Sequence, residues 1–286
     1  MLEKKSSHLK FRTLILTSLA MMAFAGNSLL CRVALKQTQI DAASFTTIRL
    51  LAGALMLWLI VCLRHTKVTG KGNWLSALAL FVYAAGFSFA YVSLSAATGA
   101  LLLFGAVQTT MIGRGIWLGE RLQRRQVLGF VLAMAGLIGL ILPSLSAPPL
   151  VGSVLMISAG MAWGLYSLRG KGGGDPIKIT GGNFLRAAAM ALVLSAVMSQ
   201  GARGDSAGVF YAILSGALTS GIGYVLWYMV LPALKATHAA TVQLSVPVIA
   251  AFGGSVFLDE TITFRLLVAA VTILGGIALV ILEKPE

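Results

Sequence analysis

The sequence predicts an all-α polytopic membrane protein: ten transmembrane helices as two inverted five-helix repeats, both termini cytoplasmic. Composition, the placement of charge between apolar runs, and an internal repeat carry that expectation. Of 286 residues, 58% are hydrophobic and 11% charged, with a mean hydropathy of +0.90. A soluble domain would be about a quarter charged. The 32 glycines suit transmembrane helices, where glycine is commoner than in soluble ones. The apolar runs are continuous, whereas the strands of an outer-membrane barrel alternate apolar and polar residues.

Each span needs about 20 apolar residues. Thr13 to Cys31 forms the first, and Ser44 to Leu63, interrupted by Arg49, the second. Asn73 to Gly113 is 41 residues without a charge, enough for two spans joined by a turn over 93–99. Gln126 to Leu168 is a charge-free run of 43 residues, broken into two helices by Pro143, Pro148 and Pro149. The last four spans fall near 180–199, 207–230, 237–257 and 264–282.

The net charge of +13 resides between these runs, so it reads as topology and not as a nucleic-acid surface. Fifteen Lys and Arg fall on the N-terminal side and four (Arg32, Lys36, Arg203, Arg265) on the other. The positive-inside rule then puts both termini in the cytoplasm. Ala23-Phe24-Ala25 has the outline of a signal-peptide cleavage site, but cleavage there would destroy the repeat, so retention is expected. Cys31 and Cys62 lie near opposite faces and predict no disulfide.

An offset of 137 residues pairs Arg32 with Arg169, Arg49 with Arg186, Gly86 with Gly223 and Tyr91 with Tyr228. An offset of 140 pairs Gly113 with Gly253, Glu120 with Glu260, Arg125 with Arg265 and Gly136 with Gly276. The repeats are therefore 1–145 and 146–286, and an odd number of crossings inverts the second. Inverted repeats characterise many secondary transporters, whose site lies near the midplane between the halves.

Leu118-Gly119-Glu120-Arg121 follows the fourth span and Leu258-Asp259-Glu260-Thr261 the ninth. Arg49 and Arg186 stand near the starts of the second and seventh spans, and Pro247 lies in the ninth. On these residues the whole chain resembles the drug/metabolite transporter superfamily, in its ten-helix branch with EamA-like repeats. It looks most like the YddG-type exporters of amino acids and related metabolites. It departs in having Asp259 where glycine is usual, and in lacking a fourth-span proline matching Pro247.

All nine carboxylates lie outside the spans or at their ends, and Glu120 and Glu260 read as helix-cap groups. No proton carrier is evident, since His238 is also marginal, so uncoupled movement is expected. Arg49 and Arg186 lie roughly 8–9 Å inside their helices, a depth that snorkelling covers. The alternative is that they anchor a substrate carboxylate. Arg114 is equally ambiguous. Asn27, Tyr83, Gln108, Trp163, Tyr166 and Gln243 are the polar and aromatic candidates for a central cavity. Tyr224, Trp227 and Tyr228 read as an interfacial aromatic belt.

No zinc-protease, P-loop or nucleophile-elbow motif occurs, so neither an enzyme nor a metal or cofactor site is expected. The expected function is alternating-access export of small amphiphilic metabolites, amino acids foremost, by a monomer in a bacterial-type inner membrane. A lipid or lipid-precursor flippase is the alternative. An enclosed midplane cavity would favour the carrier and a lipid-facing groove the flippase.

Overall fold

Acidic and amide side chains set where several helices begin. Asp41 Oδ1 accepts from the amides of Ala43 and Ser44 at 3.0 and 2.9 Å, and Asp175 from that of Ile177 at 2.9 Å. Asp205 does the same for Gly208 and Asn73 for Ser76. Each satisfies amides that a helix leaves without an internal partner. Partial burial works against the charged form of Asp41, but hydrogen bonds from Ser44, Arg203 and Ala43 outweigh it and hold the carboxyl below its usual range. Asp41, Asp175 and Asp205 sit at span ends, where they serve these amides.

A computed structural model describes residues 2–64, 69–117, 123–142, 147–169, 174–230 and 242–282. Glu120, Pro143 and His238 lie outside them. Among the described residues the regular structure is helical: α1 Leu2–Gln37, α2 Ala42–Arg64, α3 Trp74–Tyr91, α4 Ala96–Trp117 and α5 Arg124–Ile141. There follow α6 Leu150–Arg169, α7 Pro176–Val197, α8 Ser206–Val230, α9 Ser245–Leu258 and α10 Phe264–Leu282. Helices α1 to α8 are long and apolar enough to cross a membrane, while α9 and α10 contain shorter apolar stretches. Trp58, Phe252 and Val271 face outward, a pattern suited to lipid and costly in water.

The main pairings between the halves recur with the halves exchanged. α3 lies against α6 as α8 lies against α1, α4 against α6 as α9 against α1, and α2 against α8 as α7 against α3. At matching places Gly86 meets Ala159 and Gly223 meets Ala23. α5 pairs with its own counterpart α10. A methyl group on Gly136 would stand 2.7 Å from Ile273, and one on Gly276 would stand 2.7 Å from the Ala133 amide. Residue numbers at the seam rise along one helix as they fall along the other, so the counterparts run antiparallel.

Two departures from regular helix matter. Ser215–Ile222, within α8, winds as a π-helix. Asp259, after α9, has φ of 52°. That left-handed conformation favours glycine, although an aspartate occupies it here. Beside it Glu260 caps a helix, though not the one it leads into. Its Oε2 accepts from the first amide of α4, Ala96, at 2.7 Å, and its Oε1 pairs with Arg32 Nε at 2.9 Å. Arg32 also donates to the Tyr91 and Val92 carbonyls, and Lys36 to that of Leu258. This corner ties the ends of α1, α3, α4 and α9.

Candidate functional site

The polar groups converge where α1, α2 and α3 of the first half meet the π segment of α8. A π turn exposes side chains that a regular helix would spread around its circumference, and such turns are frequent at functional sites. Ser215 and Thr219 both donate to Asn27 Oδ1, at 2.8 and 3.4 Å. Asn27 Nδ2 in turn donates to Tyr83 Oη at 3.3 Å. Arg49 reaches the same cluster, donating from Nη2 to Tyr83 Oη at 3.1 Å and from Nε to Ser220 Oγ at 3.3 Å. Its guanidinium carbon lies 5.3 Å from the Tyr83 ring centre and 4.9 Å from that of Phe87.

Arg49 is 2% exposed. Its Nη1 is buried without a hydrogen-bond partner, and among the described residues no carboxylate lies within ion-pair distance of it. The snorkelling expectation therefore fails for Arg49. Its side chain turns inward, because Gly216 lets α8 approach the Arg49 carbonyl so closely that even a methyl group there would clash. Arg186 behaves otherwise. It is half-buried, donates to its own Gly182 carbonyl at 2.8 Å and lies over Trp74 at 5.7 Å. Arg114 is exposed and lies over Trp117.

Aromatic rings complete the surroundings. Trp163 lies 4.9 Å from Tyr83, 5.2 Å from Tyr224 and 5.5 Å from Tyr166, on which it stacks. Phe24 packs against Tyr224 and Trp227. The belt expectation fails for Tyr224 and Trp227, which are 4% and 9% exposed and face the interior. Between these groups lies a cavity of about 20 Å³, bounded by Phe24, Asn27, Tyr83, Phe87, Trp163 and Tyr224 among others. That is room for one water and not for a metabolite.

Of the six cavity candidates, Asn27, Tyr83 and Trp163 line this space. Tyr166 stands behind Trp163, its hydroxyl accepting from Asn183 at 3.4 Å. Gln108 is buried on α4 but does not line the cavity, and neither does the half-buried Gln243. Sequence reasoning missed Phe24, Ser215, Thr219 and Ser220. The hydroxyl cluster Ser215, Thr219 and Ser220 in an otherwise apolar span was the available signal. Among the described residues no three His, Cys, Asp or Glu side chains converge as metal ligands would.

A multi-helix membrane fold with a buried polar cluster between two repeats is the architecture of a transporter. The EamA-like transporter family model matches residues 11–142 and again 150–282, and the chain belongs to that family. An uncharacterized Pseudomonas aeruginosa protein is 57% identical over 274 residues, covering 96% of both chains. The uncharacterized transporter YoaV of Bacillus subtilis is 25% identical, over 82% of this chain and 85% of its own. An uncharacterized transporter of Archaeoglobus fulgidus is 26% identical, over 94% and 96% respectively. One solved crystal structure shares the fold with a TM-score of 0.65 at 16% identity, covering 93% of this chain and 97% of that one.

Proposed function

We propose that this protein is a secondary carrier exporting small amphiphilic metabolites by alternating access around the central cavity. Amino acids with aromatic or other neutral side chains are the first class to test. In this reading residues 1–145 and 146–286 are the two repeats, all ten helices cross, and both termini lie in the cytoplasm. The membrane is a bacterial-type inner membrane, and one chain suffices. No proton partner is obligatory.

The observation that carries the reading is the position of the polar cluster. Asn27, Arg49 and Tyr83 of one half bond to Ser215, Thr219 and Ser220 of the other, so relative motion of the halves remakes the site. The repeated pairings support inversion. A twofold axis exchanging antiparallel counterparts such as α5 and α10 stands perpendicular to them, which puts it in the membrane plane. The cavity of about 20 Å³ then belongs to an occluded state, with the Arg32–Glu260 corner closing the outer side.

A lipid-facing groove of about 540 Å³ between α2 and α7 is what a flippase would use. Among the described residues it shares no lining residue with the central cavity, and Lys178 is the one charged residue that lines it. A headgroup crossing there would have no polar path, which favours the carrier.

Proteoliposomes loaded with a panel of labelled neutral amino acids test the proposal. Asn27→Ala and Trp163→Ala should each lower flux by about tenfold or more, equivalent to losing roughly 1.4 kcal/mol at the limiting step. Lipid-facing Trp58→Ala should leave flux unchanged. Full flux through both cavity variants would reduce the cluster to packing, and movement of a labelled phospholipid in place of amino acids would favour the flippase.

A further inference from the structure

Among the described residues the central cluster holds one charge and nothing to balance it. The Arg49 guanidinium stays protonated in proteins. Tyr83 and Ser220 solvate it with neutral oxygens, and Tyr83 and Phe87 with ring faces, none of which supplies a negative charge. Its Nη1 is buried with both hydrogens unspent. The three residues that hold the guanidinium, Tyr83, Phe87 and Ser220, all line the central cavity. A group entering there meets the cation as soon as the two halves part.

We infer that Arg49 recognises the carboxylate of the transported molecule, and that the site favours a net-anionic carboxylate with an aromatic-sized apolar body over a zwitterion of the same body. A carboxylate reaching Nη1 gains charge-assisted hydrogen bonds from a donor that is already desolvated. The apolar body fits the surrounding rings of Phe24, Phe104, Trp163 and Tyr224. An ammonium group has no such welcome. Among the described residues the cavity lining contains no carboxylate, so an ammonium group meets only neutral atoms and ring faces there, beside the Arg49 cation over Tyr83 and Phe87.

A consequence is electrogenic movement. Each turnover carries one negative charge outward, so an inside-negative potential drives export without any coupling ion. The equilibrium ratio shifts about fiftyfold for 100 mV.

The inference rests on the carrier reading, and three molecules with one body separate the two: phenylpyruvate (anion), phenylalanine (zwitterion) and phenylalaninamide (cation). Flux is measured in proteoliposomes against protein-free vesicles at set potassium–valinomycin potentials, and thermal stabilisation on the purified protein. Phenylpyruvate should be carried at least about tenfold faster than phenylalaninamide and faster than phenylalanine, with potential-dependent efflux. It should also raise the melting temperature most. Arg49→Met should abolish the anion preference in both assays, and Arg49→Lys should keep part of it, which covers the case in which Arg49→Met fails to fold. Phenylalanine carried as well as phenylpyruvate, or an anion preference surviving Arg49→Met, overturns the inference and leaves the carrier standing. If none of the three is bound or carried, both fall.

Discussion

Arg49 and Arg186 occupy equivalent places in the two halves, yet one lies in the core and the other at the rim. The difference lies in their neighbours. At the 137-residue offset Tyr83 corresponds to Ser220, so the two hydroxyls that hold Arg49 are themselves counterparts across the twofold. Arg186 is related by symmetry to the same pair. Two unpaired guanidiniums on one pair of hydroxyls would repel and double a desolvation penalty of about 3 kcal/mol each even on lenient scales. One enters and the other is left outside. Duplication supplies two arginines, but electrostatics admits one, and the site is asymmetric although the scaffold is not.

Local packing enforces the choice. Gly216 opens the approach of α8 to Arg49, and its counterpart in the first half is Ala79. Gly216→Val should therefore do the most damage to stability, since even a methyl group meets the Arg49 carbonyl and Ala52. Overpacking of this kind costs about 1–3 kcal/mol. Ala79→Val should cost less than about 1 kcal/mol. Melting of the two purified variants checks the contrast, and equal losses would remove the packing explanation.

A smaller effect is expected at the rim. Arg186→Met loses an exposed ring contact worth about 0.5–1 kcal/mol and should leave flux within about twofold of wild type. A collapse of transport there would mean that both arginines serve the cavity in turn.

The smallest effect concerns the loop end of α2. The folded state holds the Asp41 carboxyl below its usual range, so its contribution is present above the unfolded value near 4 and is lost as pH falls through the lower folded one. Asp41→Asn should lower the melting temperature at pH 7 by that contribution and flatten the wild-type fall between about pH 5 and 3, so that the two proteins converge in acid. An unchanged acid limb would assign the loss to other carboxylates.

Helix existence was legible because lipid demands long apolar runs, and the turn over 93–99 and the prolines near 148 divide the doubled runs where α3 and α4, and α5 and α6, part. The inward face of each helix was not legible. In a bilayer a helix is apolar all round, so no amphipathic stripe marks the buried side. That is why Tyr224 and Trp227 read as a belt, and why Gln108, near mid-span on α4, read as cavity-lining. Depth could be read from sequence, but azimuth depends on partners. The π turn in α8 added a second obstacle, since it re-aims Ser215, Thr219 and Ser220 away from a regular helical wheel.

The seam between α5 and α10 has a further consequence. Gly136 meets Ile273 while Gly276 meets Ala133, so each helix offers its counterpart the same kind of surface that it receives. That is the geometry of an isologous interface, normally made by two separate copies of one chain. A single half therefore carries both faces of its own seam, and severing the link between the halves leaves self-complementary surfaces that find each other by mass action instead of by tether.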